Sequence, residues 1–71
     1  MKLKIGDTVR YKQEFGMGPT IKAKVEGIEI TNGGKYGRQV EEVAWSKVNG
    51  RNVVVDLDCG SWGYGNQISK V

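Results

Sequence analysis

A chain of 71 residues with one cysteine, no histidine and a formal net charge of +3 is expected to form one small domain over residues 1–71, removing only about 60% of its unfolded surface from water. A core that small leaves little room for a deep, water-excluding catalytic pocket, and without histidine proton transfer would fall to carboxylates and lysines, so no enzyme is expected and no catalytic residue is assigned. Lone Cys59 excludes an internal disulfide, and with no imidazole in the chain it also excludes a thiol hydrolase and an ordinary zinc site, so neither metal nor cofactor is expected.

The N-terminal Met1-Lys2-Leu3-Lys4-Ile5 has no apolar run behind its lysines, so no signal peptide or membrane span is read there and a cytoplasmic setting is expected. The charge is uneven. Residues 1–38 hold eight Lys or Arg against Asp7, Glu14, Glu26 and Glu29, whereas Lys47, Arg51 and Lys70 face Glu41, Glu42, Asp56 and Asp58 in the remainder.

In chain order, Gly6-Asp7 reads as a turn into a first strand that ends at Lys12, with Val9 and Tyr11 on one face and Thr8, Arg10 and Lys12 on the other. Residues 13–19 lose this alternation and carry Gly16, Gly18 and Pro19, which predicts a long loop. The second strand, about Thr20 to Ile30, is the longest and changes phase. Apolar residues fall on odd numbers at Ile21, Ala23 and Val25, then on even numbers at Ile28 and Ile30. A parity flip at Gly27 predicts a bulge or bend that keeps both Val25 and Ile28 inward, with backbone strain at the glycine. Thr31-Asn32-Gly33-Gly34 ends the strand, Lys35 to Arg38 form the far side of that loop, and Tyr36 covers it.

A third strand is expected from about Val40 to Lys47 and a fourth from about Asn52 to Leu57. Of the two hairpin registers, the one with a three-residue loop and left-handed Gly50 pairs Trp45 with Val53 and Val43 with Val55 on one buried face, which places Trp45 in the core. Cys59 is read as a half-buried filler at a strand end. Ser61 to Asn66 is too rich in glycine for a helix or a long strand, and Gln67 to Val71 closes the fold as one short strand after a tight turn. Gly60, Gly63 and Gly65 have the wrong spacing for a dinucleotide loop, and Gly33-Gly34-Lys35 lacks the rest of a phosphate loop. Glu41 and Glu42 point to opposite faces, and Asp56 and Asp58 are read as a solvated strand face.

Five short strands, the second bent, make an all-β fold that hides its edges by closing into a barrel. Lys4-Ile5-Gly6-Asp7-Thr8-Val9-Arg10, Ala23-Lys24-Val25-Glu26-Gly27-Ile28 and Val43-Ala44-Trp45 resemble the SH3-like small barrels, in particular uncharacterised ones of bacteria and phages. The resemblance implies a five-stranded SH3-like architecture and a binding module, with no catalytic residues. It does not extend to the acid- and tyrosine-rich first loop of proline-reading SH3 domains, since residues 13–19 offer only Glu14. Nor is the glycine loop of the KOW-type nucleic-acid barrels matched.

In SH3-like topology the first long loop lies near the segment before the last strand. That would gather Phe15 and Met17 with Trp62, Tyr64 and Tyr11 into one patch, and these five are the candidate contacts to an unidentified protein or peptide partner. The rival expectation for Trp62 is a plug at an open barrel end. The alternative function is binding of single-stranded nucleic acid by outward-facing Arg10, Lys12, Lys22 and Lys24.

Overall fold

The computed structural model of the chain describes residues 1–31, 37–48 and 50–71, with the backbone alone at Phe15 and Gly16. Alternation produces most of what it contains. In β2 (Thr8–Lys12), Val9 and Tyr11 are buried and Thr8, Arg10 and Lys12 exposed. In β3 (Thr20–Ile30), Ala23, Val25 and Ile28 are buried. The two strands form an antiparallel hairpin in which Val9 faces Ala23 and Tyr11 faces Ile21.

The parity flip is a bulge. Val25 pairs with Leu57 of β6 (Val53–Leu57), yet Gly27 pairs with Asp56 and Ile28 with Val55, so Glu26 is the extra residue. Both Val25 and Ile28 lie inward, at 2% exposure. The expected strain at Gly27 is absent, because its φ lies outside the left-handed region. The atom nearest to a Cβ there would be Oδ2 of exposed Asp56, at 3.0 Å. Gly27→Ala should therefore cost no more than about 1 kcal/mol, since a solvated carboxylate can swing aside. Chemical denaturation checks this, and a loss above 2 kcal/mol would show that the bulge itself demands glycine.

The five-stranded expectation is too few. The main antiparallel sheet runs β7-β6-β3-β2-β8, where β7 is Trp62–Tyr64 and β8 is Ile68–Lys70, and β4 (Arg38–Val40) pairs with β3 beside that path. A separate two-stranded ribbon joins β1 (Lys2–Lys4) to β5 (Glu42–Ala44). That makes eight strands among the described residues, all in antiparallel ladders, and no ladder joins β7 to β8. Residues 13–19, expected to be all loop, include a single helical turn, α1 (Gln13–Gly16).

The ribbon also breaks the expected third strand. The chain pairs with β3 through Val40, and the N–H of Ile5 then donates to the carbonyl of Glu41 at 3.1 Å, so Val43 faces Leu3 rather than Val55. Trp45 does not oppose Val53. It begins a 3-10 turn, Trp45–Lys47, and packs half-buried on the outside of the core, with the Lys70 ammonium 5.6 Å from its ring centre. Gly50 does take the expected left-handed φ, +55°. Cys59 is exposed, not half-buried, because the chain has left β6 at Leu57 and turns through Gly60 at φ +84°. The closing strand β8 follows a 3-10 turn, Gly65–Gln67, as read from the sequence.

Leu3, Val9, Tyr11, Ala23, Val25, Ile28, Val43, Val48, Val53, Val55, Leu57 and Ile68 form one apolar cluster, and Gln67 is the one buried polar residue among those described. The expectations for the 32–36 loop, Tyr36 included, lie outside the described residues. No described helix is long and apolar enough to cross a membrane.

Candidate functional site

At one end of the sheet, two stretches distant in sequence, residues 11–19 and 58–67, meet around the ring of Tyr11. The 13–19 loop is held shut by its own backbone. Gln13 N–H donates to Pro19 at 3.1 Å, Gly18 N–H to Gln13 at 2.8 Å and Met17 N–H to Glu14 at 3.0 Å. Closing so tightly puts Glu14 at φ +52°, in the left-handed region. For a residue with a Cβ that conformation costs about 1–2 kcal/mol, a cost that the surrounding contacts must offset.

Opposite this loop, the 58–60 turn reverses the chain into β7. Gly60 N–H donates to Leu57 at 3.2 Å, and Leu57 N–H donates to Ser61 at 2.9 Å. Gly63 lies directly on the Tyr11 ring: a Cβ at position 63 would come within 2.7 Å of Tyr11 Cε1. That close approach lets the Tyr11 hydroxyl donate to the Trp62 carbonyl at 3.1 Å, so a buried aromatic finds its polar partner on the neighbouring backbone.

Gln67 completes the frame. Its Oε1 accepts the Tyr64 N–H at 2.9 Å and its Nε2 donates to the Lys12 carbonyl at 3.0 Å, which ties β7 to the end of β2 across 55 residues of sequence.

Between these walls runs a groove of about 280 Å³ lined by Tyr11, Glu14, Gly60, Ser61, Trp62 and Gln67. Trp62 stands at its edge 47% exposed, its ring edge-on to Tyr64 with centroids 5.2 Å apart and planes at 88°. The far side of that pair is braced by Arg51, whose guanidinium carbon lies 5.4 Å from the Tyr64 ring centre. The indole is therefore positioned with about half of its surface left open to solvent.

Of the five residues expected to form one patch, Tyr11 and Trp62 line the groove and Tyr64 supports Trp62 from behind. Met17 projects into solvent at 89% exposure and is not among the lining residues. The Phe15 side chain lies outside the described residues. Glu14, Ser61 and Gln67 were not singled out by sequence. A left-handed φ leaves no mark on residue type when the residue is not glycine, and a glutamine in a polar stretch gives no sign that it will be buried.

Chemically the groove offers an aromatic surface, one carboxylate, the Ser61 hydroxyl and the phenol oxygen of Tyr11 as a remaining acceptor. That inventory suits recognition. Among the described residues no group of three or more Cys, Asp or Glu is placed to hold a metal ion.

The four cations read as outward-facing are exposed on the other side of the β2–β3 ladder. Arg10 stands directly opposite Lys22, Lys24 opposite Thr8 and Lys12 opposite Thr20. They form a surface distinct from the groove.

Comparison with known proteins gives no match to a family model, a curated protein or a solved structure.

Proposed function

We propose that this chain is a non-catalytic binding module of the SH3-like class, docking a segment of a protein or peptide partner in the groove between Glu14 and Trp62. The observation that carries the reading is Trp62 itself, an indole half open to solvent whose ring packs edge-on against Tyr64 and whose carbonyl accepts from the Tyr11 hydroxyl. Aromatic anchors held rigidly beside a concave surface bind with little loss of side-chain entropy.

Two further features support the SH3-like assignment. The 13–19 loop packs against the segment before the last strand, as that class requires, and β8 returns to lie beside β2. The bulged second long strand serves both halves of the sheet. Strain at Glu14 also fits a binding surface, since such outliers gather where ligands are held.

Selection of a random peptide library on the full chain tests the proposal. Selected peptides should lose about 2 kcal/mol of affinity, some thirtyfold, against Trp62→Ala. They should broaden or shift the Trp62 indole resonance of the parent. Trp62 is half exposed, so its variant should keep the parent's cooperative unfolding. Peptides that bind Trp62→Ala as tightly as the parent would sink the reading.

A further inference from the structure

Like charges placed directly across an antiparallel pair repel, because their Cβ atoms sit only about 5 Å apart. Arg10 and Lys22 occupy such a pair, with Lys12 and Lys24 one step away on the same outward face. All four side chains are exposed, and among the described residues none has a carboxylate within salt-bridge distance. Of the nearest acids by position, Asp7, Glu26 and Asp58 lie at the Lys24 end and Glu14, which lines the groove, lies two residues beyond Lys12. At the Lys24 end Asp58 accepts the Lys24 backbone N–H at 3.0 Å, and Asp7 accepts that of Lys4 at 3.0 Å. At the other end Arg10, Lys12 and Lys22 outnumber Glu14, so positive charge is in excess there.

The remaining outward residues of this face are hydroxyls. Thr8 and Thr20 belong to the β2–β3 ladder, and Ser69 of β8 stands opposite Arg10 on its other side. No apolar side chain stands among these ladder positions, and exposed Val71 follows only at the end of β8. A protein partner would find little apolar surface there to bury, and interfaces between proteins draw their affinity from buried anchors. A phosphodiester chain needs only cations and hydroxyl donors. Alternate residues on a strand recur at about 6.8 Å, close to the spacing of successive phosphates in an extended single strand.

We infer that the outer face of the β2–β3–β8 sheet, through Arg10, Lys12, Lys22 and Lys24, binds the sugar-phosphate backbone of a single-stranded nucleic acid without reading its bases. The contact is independent of the groove. It is weak and strongly salt-sensitive, since its free energy comes from counterions released by up to four phosphates.

Fluorescence anisotropy of a labelled twelve-residue oligothymidylate with the full chain tests this. With four phosphates neutralised, the logarithm of affinity should fall against that of salt with a slope of about −3, so that binding in 20 mM NaCl is weakened about 400-fold by 150 mM. An oligoadenylate of the same length should bind equally. Arg10→Gln combined with Lys22→Gln should lower affinity at least tenfold at 20 mM NaCl and bring the slope to about −1.5. The same variant should gain about 2–4 °C in Tm by relieving the opposed charges, so that lost binding cannot be mistaken for lost folding. Trp62→Ala should leave oligothymidylate binding unchanged, which separates this face from the groove. No binding in 20 mM NaCl, a slope untouched by the double substitution, or equal affinity for an oligoglutamate of the same charge would overturn the inference.

Discussion

Gly63→Val is expected to destabilise the fold by about 3 kcal/mol or more, with a fall in Tm of about 15 °C for a chain of this size. The reason is the absence of space between β7 and Tyr11. A Cβ at position 63 would stand 2.7 Å from Tyr11 Cε1, 3.1 Å from Cδ1 and 3.6 Å from the Cβ of Gln67. The ring cannot retreat. Tyr11 is 6% exposed, its inner side is packed on the core, and its hydroxyl is held by the Trp62 carbonyl. Either β7 lifts off the sheet or Tyr11 leaves its rotamer, and both break that hydrogen bond. Total stabilities of small domains are only about 0.05–0.15 kcal/mol per residue, so the loss is a large share of the whole. Thermal and urea unfolding measure it. Gly63→Val with a Tm within 3 °C of the parent would show that β7 is not seated on Tyr11.

The second large effect is at Gln67, which is 5% exposed and bonded at both ends of its amide. Gln67→Leu keeps the size of the side chain and removes the bonds that its amide makes to the Tyr64 N–H and the Lys12 carbonyl. Each such loss costs about 1–3 kcal/mol where water is excluded, and this site is partly open, so about 2–3 kcal/mol in total is expected. A specific signature should accompany the loss. Hydrogen exchange at the Tyr64 amide should accelerate more than exchange in the β2–β3 hairpin, because the tie being cut is the one between β7 and β2. Uniform acceleration across the sheet, or a loss under 0.5 kcal/mol, would contradict this role for the amide.

The same two residues show where the sequence is readable and where it is not. Val9, Tyr11, Ala23, Val25, Ile28 and Leu57 announce themselves because each sits on a strand with one wet face, and the pleat converts that difference into alternation. The bulge is equally plain, since an extra residue must invert the alternation beyond it. Leu3 announces nothing. A three-residue strand has no period, and its partner Val43 lies across most of the chain.

That partnership is also why the Trp45–Val53 hairpin fails. That register buries Val43 against Val55, but Leu3 supplies the apolar neighbour instead, and β6 is left to pair with β3 and β7. Of the groove, its aromatic members could be found from residue type and topology. The backbone of Glu14, the burial of Gln67 and the missing Cβ of Gly63 are properties of packing between distant segments, and no local pattern encodes them.

The ladders differ in the length of chain that must be closed to form them. Joining β2 to β3 closes only residues 13–19, joining β3 to β6 encloses all of β4 and β5, and β8 must return from the far end to meet β2. Since closure entropy grows with the length enclosed, the β2–β3 hairpin is the least costly part to assemble and the β8 ladder among the most costly. The groove belongs to the costly end: the Tyr11–Trp62 bond spans 51 residues and the Gln67–Lys12 bond 55. A chain caught partway, with its hairpin made and its last strand free, would carry the Arg10–Lys22 pair and no groove at all, so a ligand of the proposed groove site would report a finished fold.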